Sequence, residues 1–174
     1  KVDPKELLIT SGGTEPNNMA LLGTALAAKR EGNHIITTAV EHPSVKATAS
    51  FLEEQGFRIT FLSVDSRGQI SLEDLKKALT PDTILVSIMY VNNEIGTIQP
   101  VEEAAKLVHA TVPGAVFHVD AIQAYGKVMI RPKQQGIDLL SVSSHKFHGP
   151  KGAGFLYCSR KVNLHPIIFG GGQQ

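Results

Sequence analysis

Seven apolar runs of strand length recur along the chain, with polar or helix-like stretches between them. The runs cover residues 7–10, 35–38, 57–64, 84–91, 115–119, 137–142 and 153–157. The run at 84–91 is apolar almost throughout, which is typical of a strand covered on both faces in a mostly parallel sheet. The pattern therefore predicts a three-layer α/β fold built on a mostly parallel seven-stranded sheet.

Helical spacing is clearest after residue 100, where four apolar residues fall at i, i+3, i+4 and i+7: Val101, Ala104, Ala105 and Val108. This spacing gives a helix one apolar stripe to lay on the sheet. Pro100 precedes that helix, Pro43 stands where a first-turn proline is tolerated, and Ser71 begins a weak capping-box pattern. Residues 65–68 (DSRG) are typical of a turn. We expect these helices to have a structural role.

With 174 residues the chain has the length of one domain, and no internal repeat or linker divides it. Its 17 lysines and arginines oppose 16 aspartates and glutamates, which leaves a net charge of +1. This balance, without a long block of like charge, favours a small-molecule partner over nucleic acid or an anionic membrane surface.

Cys158 is the single cysteine, which excludes an intrachain disulfide framework and fits a reducing compartment. It ends an apolar run, where a free cysteine normally behaves as a small hydrophobe, so a structural role is favoured. No apolar run approaches 18 residues, and the first residues lack the apolar region of a signal peptide. We therefore expect a cytoplasmic protein.

Lys146 follows the apolar run 137–142 in a segment that ends in glycines and a proline. A lone lysine in a loop is usually a solvated surface charge. Here the small hydroxyls of Ser143 and Ser144 precede it, and Gly149 follows, so the backbone can approach a bound group closely. A desolvated lysine of this kind can be an amine nucleophile that forms a Schiff base with a carbonyl.

Two further positions follow predicted strands. Thr14 comes after Gly12 and Gly13 where the first strand turns into a helix, so it is either a phosphate-binding position or a plain helix cap. Asp120 ends the run 115–119, at the edge where open α/β sheets bind ligands. Its carboxylate could cap a helix, bind a metal or pair with a protonated ring nitrogen.

His42 also lies just beyond a predicted strand, although a lone histidine is more often a surface or structural residue. Residues 92 and 93, both asparagines, are typical of a turn. The remaining histidines show no metal-ligand spacing together with cysteines, so no metal site is predicted: His34, His109, His118, His148 and His165.

Several of these segments together resemble a known family. The segments 143–146 (SSHK) and 118–123 (HVDAIQ) are similar to the pyridoxal-phosphate core of the cysteine desulfurases, in the class V aminotransferase group. The segments 10–15 (TSGGTE), 41–43 (EHP), 92–96 (NNEIG) and 170–173 (GGGQ) extend the resemblance over essentially the whole chain. The resemblance implies the fold type I (aspartate aminotransferase-like) large domain.

The same resemblance implies roles for individual residues. Lys146 would hold pyridoxal 5′-phosphate and then move the substrate α-proton, with Asp120 on the ring nitrogen and His42 over the ring. Asn93 and Gln123 would bond the phenolic oxygen. The cofactor phosphate would be bound at the turn of Gly13 and Thr14, with Ser143 and His145.

The implied activity is removal of sulfur from L-cysteine to leave alanine and an enzyme persulfide, with sulfur then passed to partners in iron–sulfur cluster assembly or tRNA thiolation. A homodimer is implied. The alternatives are selenocysteine lyase, another enzyme of the same cofactor group, and a non-catalytic truncated domain. We expect residues 1–174 to be the central part of the large domain, inactive alone, with an N-terminal segment, a C-terminal small domain and the sulfur-accepting cysteine outside it. A nucleotide-binding module is disfavoured because no Walker A or dinucleotide fingerprint occurs.

Overall fold

The computed structural model describes residues 2–170. Within these residues seven strands form one sheet: β1 (Leu7–Thr10), β2 (His34–Thr38), β3 (Arg58–Leu62), β4 (Thr83–Met89), β5 (Val116–Asp120), β6 (Leu139–Ser143) and β7 (Gly154–Cys158). The helices are α1 (Thr14–Ala27), α2 (Pro43–Glu54), α3 (Leu72–Ala78), α4 (Val101–Thr111) and α5 (Pro132–Gln135), with 3-10 turns at Pro4–Glu6 and Ser144–Lys146. The predicted α/β fold is confirmed, and each of the seven apolar runs overlaps a strand, with ends that differ by no more than two residues.

The strand order is β1-β7-β6-β5-β4-β2-β3. Strand β7 runs antiparallel to both β1 and β6, and the other neighbours are parallel. Because two antiparallel pairings restore the original direction, β1 runs the same way as β6. The carboxyl ends of β1, β2, β4, β5 and β6 therefore meet at one edge of the sheet.

Each face of the sheet packs on its own helices. On one face Leu21 of α1 and Leu52 of α2 join an apolar cluster with Leu85 of β4. On the other face the stripe of α4 packs on strand residues such as Phe117, which is fully buried. Burying one such side chain is worth roughly 1.5–3 kcal/mol, so the two clusters fix the three-layer arrangement.

The turn chemistry largely follows the sequence. Ser71 caps α3 by accepting a hydrogen bond from the Asp74 amide at 3.2 Å, and α4 begins directly after Pro100. Asp65 organises its predicted turn by accepting two backbone hydrogen bonds at 2.9 Å. The interpretation of Thr14 as a helix cap is wrong, because Thr14 is the first residue of α1 and Gly13 precedes it without a side-chain cap. Among the described residues, none of the helices has the length and hydropathy needed to cross a bilayer.

Candidate active site

A cavity of about 350 Å³ opens at the edge where the parallel strands end. Every site residue predicted from the sequence lines this cavity except Ser143: Gly13, Thr14, His42, Asn93, Asp120, Gln123, His145 and Lys146. Ser44, Met89 and Ile122 complete the lining. Larger cavities of about 630 and 700 Å³ elsewhere on the molecule contain none of these residues. The structure thus brings together residues that are up to 133 positions apart in sequence, from Gly13 to Lys146.

One corner of the cavity is formed by the turn into α1. Gly12 has φ +147°, and a β-carbon at Gly13 would clash with the side chain of Ile122, so the backbone approaches its neighbours closely here. Fully buried Ser143 lies beside this turn, and its Oγ is 2.9 Å from Nδ1 of His145. The unpaired N–H groups at the start of α1 and these polar side chains form a corner suited to an anion.

Asp120 ends β5 and is only 4% exposed. Its Oδ1 accepts a hydrogen bond from the Ile122 amide at 3.0 Å, and its Oδ2 accepts one from Nδ2 of Asn17 at 2.8 Å. Burial raises the pKa of the Asp120 carboxyl, while the two hydrogen bonds and nearby His42 act in the opposite direction. A cationic group in the cavity would stabilise this carboxylate in its ionised form.

His42 lies on the rim and caps α2. Its Nδ1 accepts a hydrogen bond from the Ser44 amide at 3.1 Å and is 2.8 Å from the Ser44 Oγ. Pro43 is the first helical residue, as its position in the sequence predicts. The imidazole is therefore held through one nitrogen and is exposed to the cavity side of the sheet edge.

Lys146 lies in the 3-10 turn that follows β6, and its side chain is exposed. Ser144 anchors the turn, because its amide and its Oγ both donate to the carbonyl of Ala153, at 3.0 and 2.9 Å. Phe147 packs on Tyr125 with a ring separation of 5.0 Å. The Lys146 side chain is therefore exposed to solvent in the protein alone and is not desolvated, as the sequence had suggested it could be.

The two predicted amide positions differ in how they are held. Asn93 lies in a turn, as its sequence also suggests, and Asn92 shapes this turn by accepting hydrogen bonds from the amides of residues 94 and 95. Nδ2 of Asn92 also donates to the Val40 carbonyl at 3.0 Å, which joins the turn to the segment that carries His42. Gln123 is half-buried one turn beyond Asp120.

Three site-forming residues were missed by sequence reasoning: Asn17, Ser44 and Glu41. Asn17 and Glu41 are buried beneath the cavity and Ser44 lines it. Their signal was position, since each lies within three residues of a predicted site residue. Polar type alone did not separate them from ordinary capping residues.

Cys158 and the buried histidines lie outside the cavity. Burial raises the pKa of the half-buried Cys158 thiol to about 11, in keeping with a structural role. His118 lies between the hydroxyls of Ser87 and Ser141, at 2.8 and 2.9 Å, and burial lowers its pKa to about 3. Within residues 2–170, no group of three or more histidine, cysteine, aspartate and glutamate side chains is arranged to hold a metal ion. The motif at 170–173 lies outside the described residues apart from Gly170.

Comparison with protein families matches residues 1–174 to the family described as aminotransferase class-V. A curated relative in Bacillus subtilis (strain 168), "Putative cysteine desulfurase IscS 1", is 54% identical over 170 residues, which are 98% of this chain and 44% of the relative. "Cysteine desulfurase, mitochondrial" of Candida albicans is 52% identical over 174 residues, covering 99% of this chain and 35% of the relative. The chain therefore spans less than half the length of these relatives.

Solved structures give the same picture. The structure titled "NIFS-LIKE PROTEIN" superposes with a TM-score of 0.96 at 44% identity, covering 99% of this chain and 47% of that chain. "SspA in complex with cysteine" superposes with a TM-score of 0.93 at 41% identity, covering 99% of this chain and 50% of that chain. The seven-stranded sheet is thus a fold shared with these proteins.

Proposed function

Because the chain belongs to the aminotransferase class-V family, we propose that it is the central part of the pyridoxal-phosphate-binding large domain of a cysteine desulfurase. The reaction is the conversion of L-cysteine to L-alanine, with the sulfur transferred to an enzyme cysteine as a persulfide. The relatives named as cysteine desulfurases support this activity, and their greater length supports further segments outside residues 1–174. The observation that carries the proposal is that Lys146 and the buried Asp120 line one cavity at the carboxyl edge of the sheet.

The side chains around the cavity fit pyridoxal 5′-phosphate group by group. A lysine amine can bond its aldehyde, a buried carboxylate can pair with its ring nitrogen, and amides can bond its phenolic oxygen. The phosphate fits the corner at the start of α1, where an anion is favoured. The residues assigned to these contacts are Lys146, Asp120, Asn93, Gln123, Gly13, Thr14, Ser143 and His145. When bound, the cofactor supplies an electron sink for the carbanion that forms on the substrate.

Asp120 has the task of keeping the ring nitrogen protonated. Its burial raises the cost of an isolated charge, and the opposite charge of a protonated ring offsets that cost. Its two hydrogen bonds, from Ile122 and Asn17, favour the ionised carboxylate and hold it in one orientation. The attraction between the Asp120 carboxylate and a protonated ring nitrogen would therefore be strong, because Asp120 is buried away from water.

Lys146 and His42 act from the rim. The lysine amine would hold the cofactor and, when free, would accept and return the α-proton of the substrate. Lys146 lies exposed on the short turn after β6, so its amine is accessible from the cavity. His42 would lie over the cofactor ring, and its Nε2 would be the nitrogen left to move a proton, because Nδ1 accepts a hydrogen bond from the Ser44 amide.

The sulfur acceptor in this proposal is a cysteine outside residues 1–174. With its pKa at about 11, the Cys158 thiol is almost entirely protonated near pH 7, and the thiolate is the nucleophilic form. We further propose a homodimer in the cytoplasm that delivers sulfur to a partner in iron–sulfur cluster assembly or tRNA thiolation. Cell fractionation tests the compartment, because a fungal relative is named as mitochondrial.

The test uses the complete protein that carries this chain, loaded with pyridoxal 5′-phosphate. Sulfide and alanine are measured after addition of L-cysteine and a reductant, and the expected products appear in equal amounts. Lys146→Ala should abolish both, while Lys151→Ala, a matched change in the following loop, should leave both. Alanine formation that persists in Lys146→Ala would overturn the proposal.

A further inference from the structure

Asn17, one turn into α1, is fully buried and joins the two sides of the cavity floor. Its Nδ2 donates one hydrogen bond to Oδ2 of Asp120 at 2.8 Å and another to Oγ of Ser44 at 2.9 Å. Asp120 ends β5, whereas Ser44 lies in the first turn of α2. One amide group thus links the residue assigned to the ring nitrogen with the helix that His42 caps.

Donor and acceptor can be assigned for each hydrogen bond in the series that joins Asn17, Ser44 and His42. A backbone N–H can only donate, so the Ser44 amide at 3.1 Å requires an unprotonated Nδ1 on His42. Because Nδ1 carries no proton, the Ser44 hydroxyl is the donor in its 2.8 Å contact with Nδ1, and its oxygen accepts from Nδ2 of Asn17. The neutral imidazole must then carry its proton on Nε2.

We propose that Asn17 is a positioning residue: together with Ser44 it forms a hydrogen-bonded bridge that orients the Asp120 carboxylate and holds His42 as the tautomer protonated on Nε2. The bridge acts through Asp120 and His42. Its catalytic consequence rests on the proposed function, since those two residues are assigned to contacts with the same cofactor ring. The bridge itself is a property of the protein without cofactor.

A second observation supports a role beyond stability. Within residues 2–170, Oδ1 of Asn17 is buried without a hydrogen-bond partner. A buried unpaired carbonyl oxygen is unfavourable, so a purely structural position would be better filled by an apolar side chain of the same shape. Exceptions of this kind concentrate at functional sites. Only the NH₂ group of the Asn17 side chain forms hydrogen bonds with the described residues around it.

Other titratable groups face the same region and must be considered in any measurement. Glu41 precedes His42 and interacts with Asp120 through charge, and His145 and Lys146 line the cavity from the turn after β6. All of them stay unchanged when Asn17 is substituted. A change in the titration of Asp120 can therefore be assigned to the lost hydrogen bond.

The experiment uses the complete protein without cofactor, labelled with ¹⁵N in histidine and ¹³C in aspartate carboxyl groups. In the wild type, NMR should show His42 with its proton on Nε2, assigned by comparison with His42→Gln. In Asn17→Leu, which keeps the shape but removes both donors, the titration midpoint of Asp120 should rise by about one pH unit. Asn18→Leu is the matched control, because the neighbouring Asn18 bonds Thr14 and Thr48 instead.

A proton found on Nδ1 of wild-type His42 would overturn the inference, and this measurement needs no variant. An unchanged Asp120 midpoint in folded Asn17→Leu would overturn it as well, even if the variant were less stable. Both readouts come from cofactor-free protein, so they stand apart from the outcome of the desulfurase assay. With cofactor added, Asn17→Leu should bind pyridoxal 5′-phosphate about 10-fold more weakly than Asn18→Leu.

Discussion

Glu41 and Met89 tie the segment after β2 to the end of β4: Oε1 of Glu41 accepts a hydrogen bond from the Met89 amide at 2.8 Å. The same oxygen accepts one from Oγ1 of Thr38 at 2.8 Å, whereas Oε2 is buried without a partner within residues 2–170. Burial raises the pKa of the Glu41 carboxyl to about 8. A buried acid thus supports the loop that ends in His42.

Replacement of Glu41 by Gln should make the cofactor-free protein less sensitive to alkaline pH. Because the folded pKa exceeds the unfolded value of 4.5, the contribution of Glu41 is fully present below pH 4.5 and is lost as pH rises to about 8. Glutamine does not ionise, so Glu41→Gln should gain on the order of 2–4 kcal/mol relative to wild type between pH 5 and 8. Urea unfolding at both pH values measures this difference, and parallel pH curves would contradict it.

His118 should have the opposite effect, lowering the free energy of unfolding as the pH falls. Its folded pKa of about 3 lies below the ordinary value of 6.5, so its contribution is present above pH 6.5 and is lost as pH falls. Between pH 6.5 and 5 the loss should be about 2 kcal/mol, and His118→Gln should lose correspondingly less. Urea unfolding of both proteins at pH 7 and 5 checks this, and equal losses would show that His118 does not set the acid limit.

Lys146 should be the residue that bonds the cofactor covalently. Borohydride reduction of the complete loaded protein, followed by peptide mapping, should locate the tag on Lys146. Because its side chain is exposed, Lys146→Ala should lose the tag while its unfolding free energy changes by no more than about 0.5 kcal/mol. A tag on Lys127 or Lys151 would show that the assignment is wrong.

Asp120→Asn should reduce the turnover rate strongly and the free energy of unfolding only slightly. The amide still accepts a hydrogen bond from Ile122 but has no charge to hold a ring nitrogen protonated. Loss of one such electrostatic partner costs about 3 kcal/mol of barrier, or on the order of 100-fold in rate. Alanine formation by the complete protein measures the effect. Turnover equal to wild type would mean that Asp120 only anchors the turn at Ile122.

Cys158→Ser should leave desulfuration within about twofold of wild type, because a raised thiol pKa leaves little nucleophile. The native thiol should also react slowly with iodoacetamide at pH 7 and rapidly in urea. Abolished sulfide release in a folded Cys158→Ser protein would instead identify Cys158 as the sulfur acceptor.

The strands and the residues just after them could be predicted because local pattern determines both. Apolar runs mark the strands, and a parallel sheet brings their carboxyl-terminal neighbours to one edge. The supporting contacts could not be found this way: Asn17 and Asp120 are 103 positions apart, and Glu41 and Met89 are 48 positions apart. Which strands become neighbours decides such contacts, and the antiparallel placement of β7 has no local signature.

That placement also sets the order in which the site can form during synthesis. Among the described residues β1 pairs only with β7, so the earliest of the seven strands to leave the ribosome is held in the sheet by the last of them. About 140 residues separate Gly13, in the turn after β1, from β7, and Lys146 is synthesised shortly before β7. The nascent chain therefore cannot hold the turn at Gly13 beside the lysine until Gly154–Cys158 has been made, so binding of the proposed cofactor would follow translation of all seven strands.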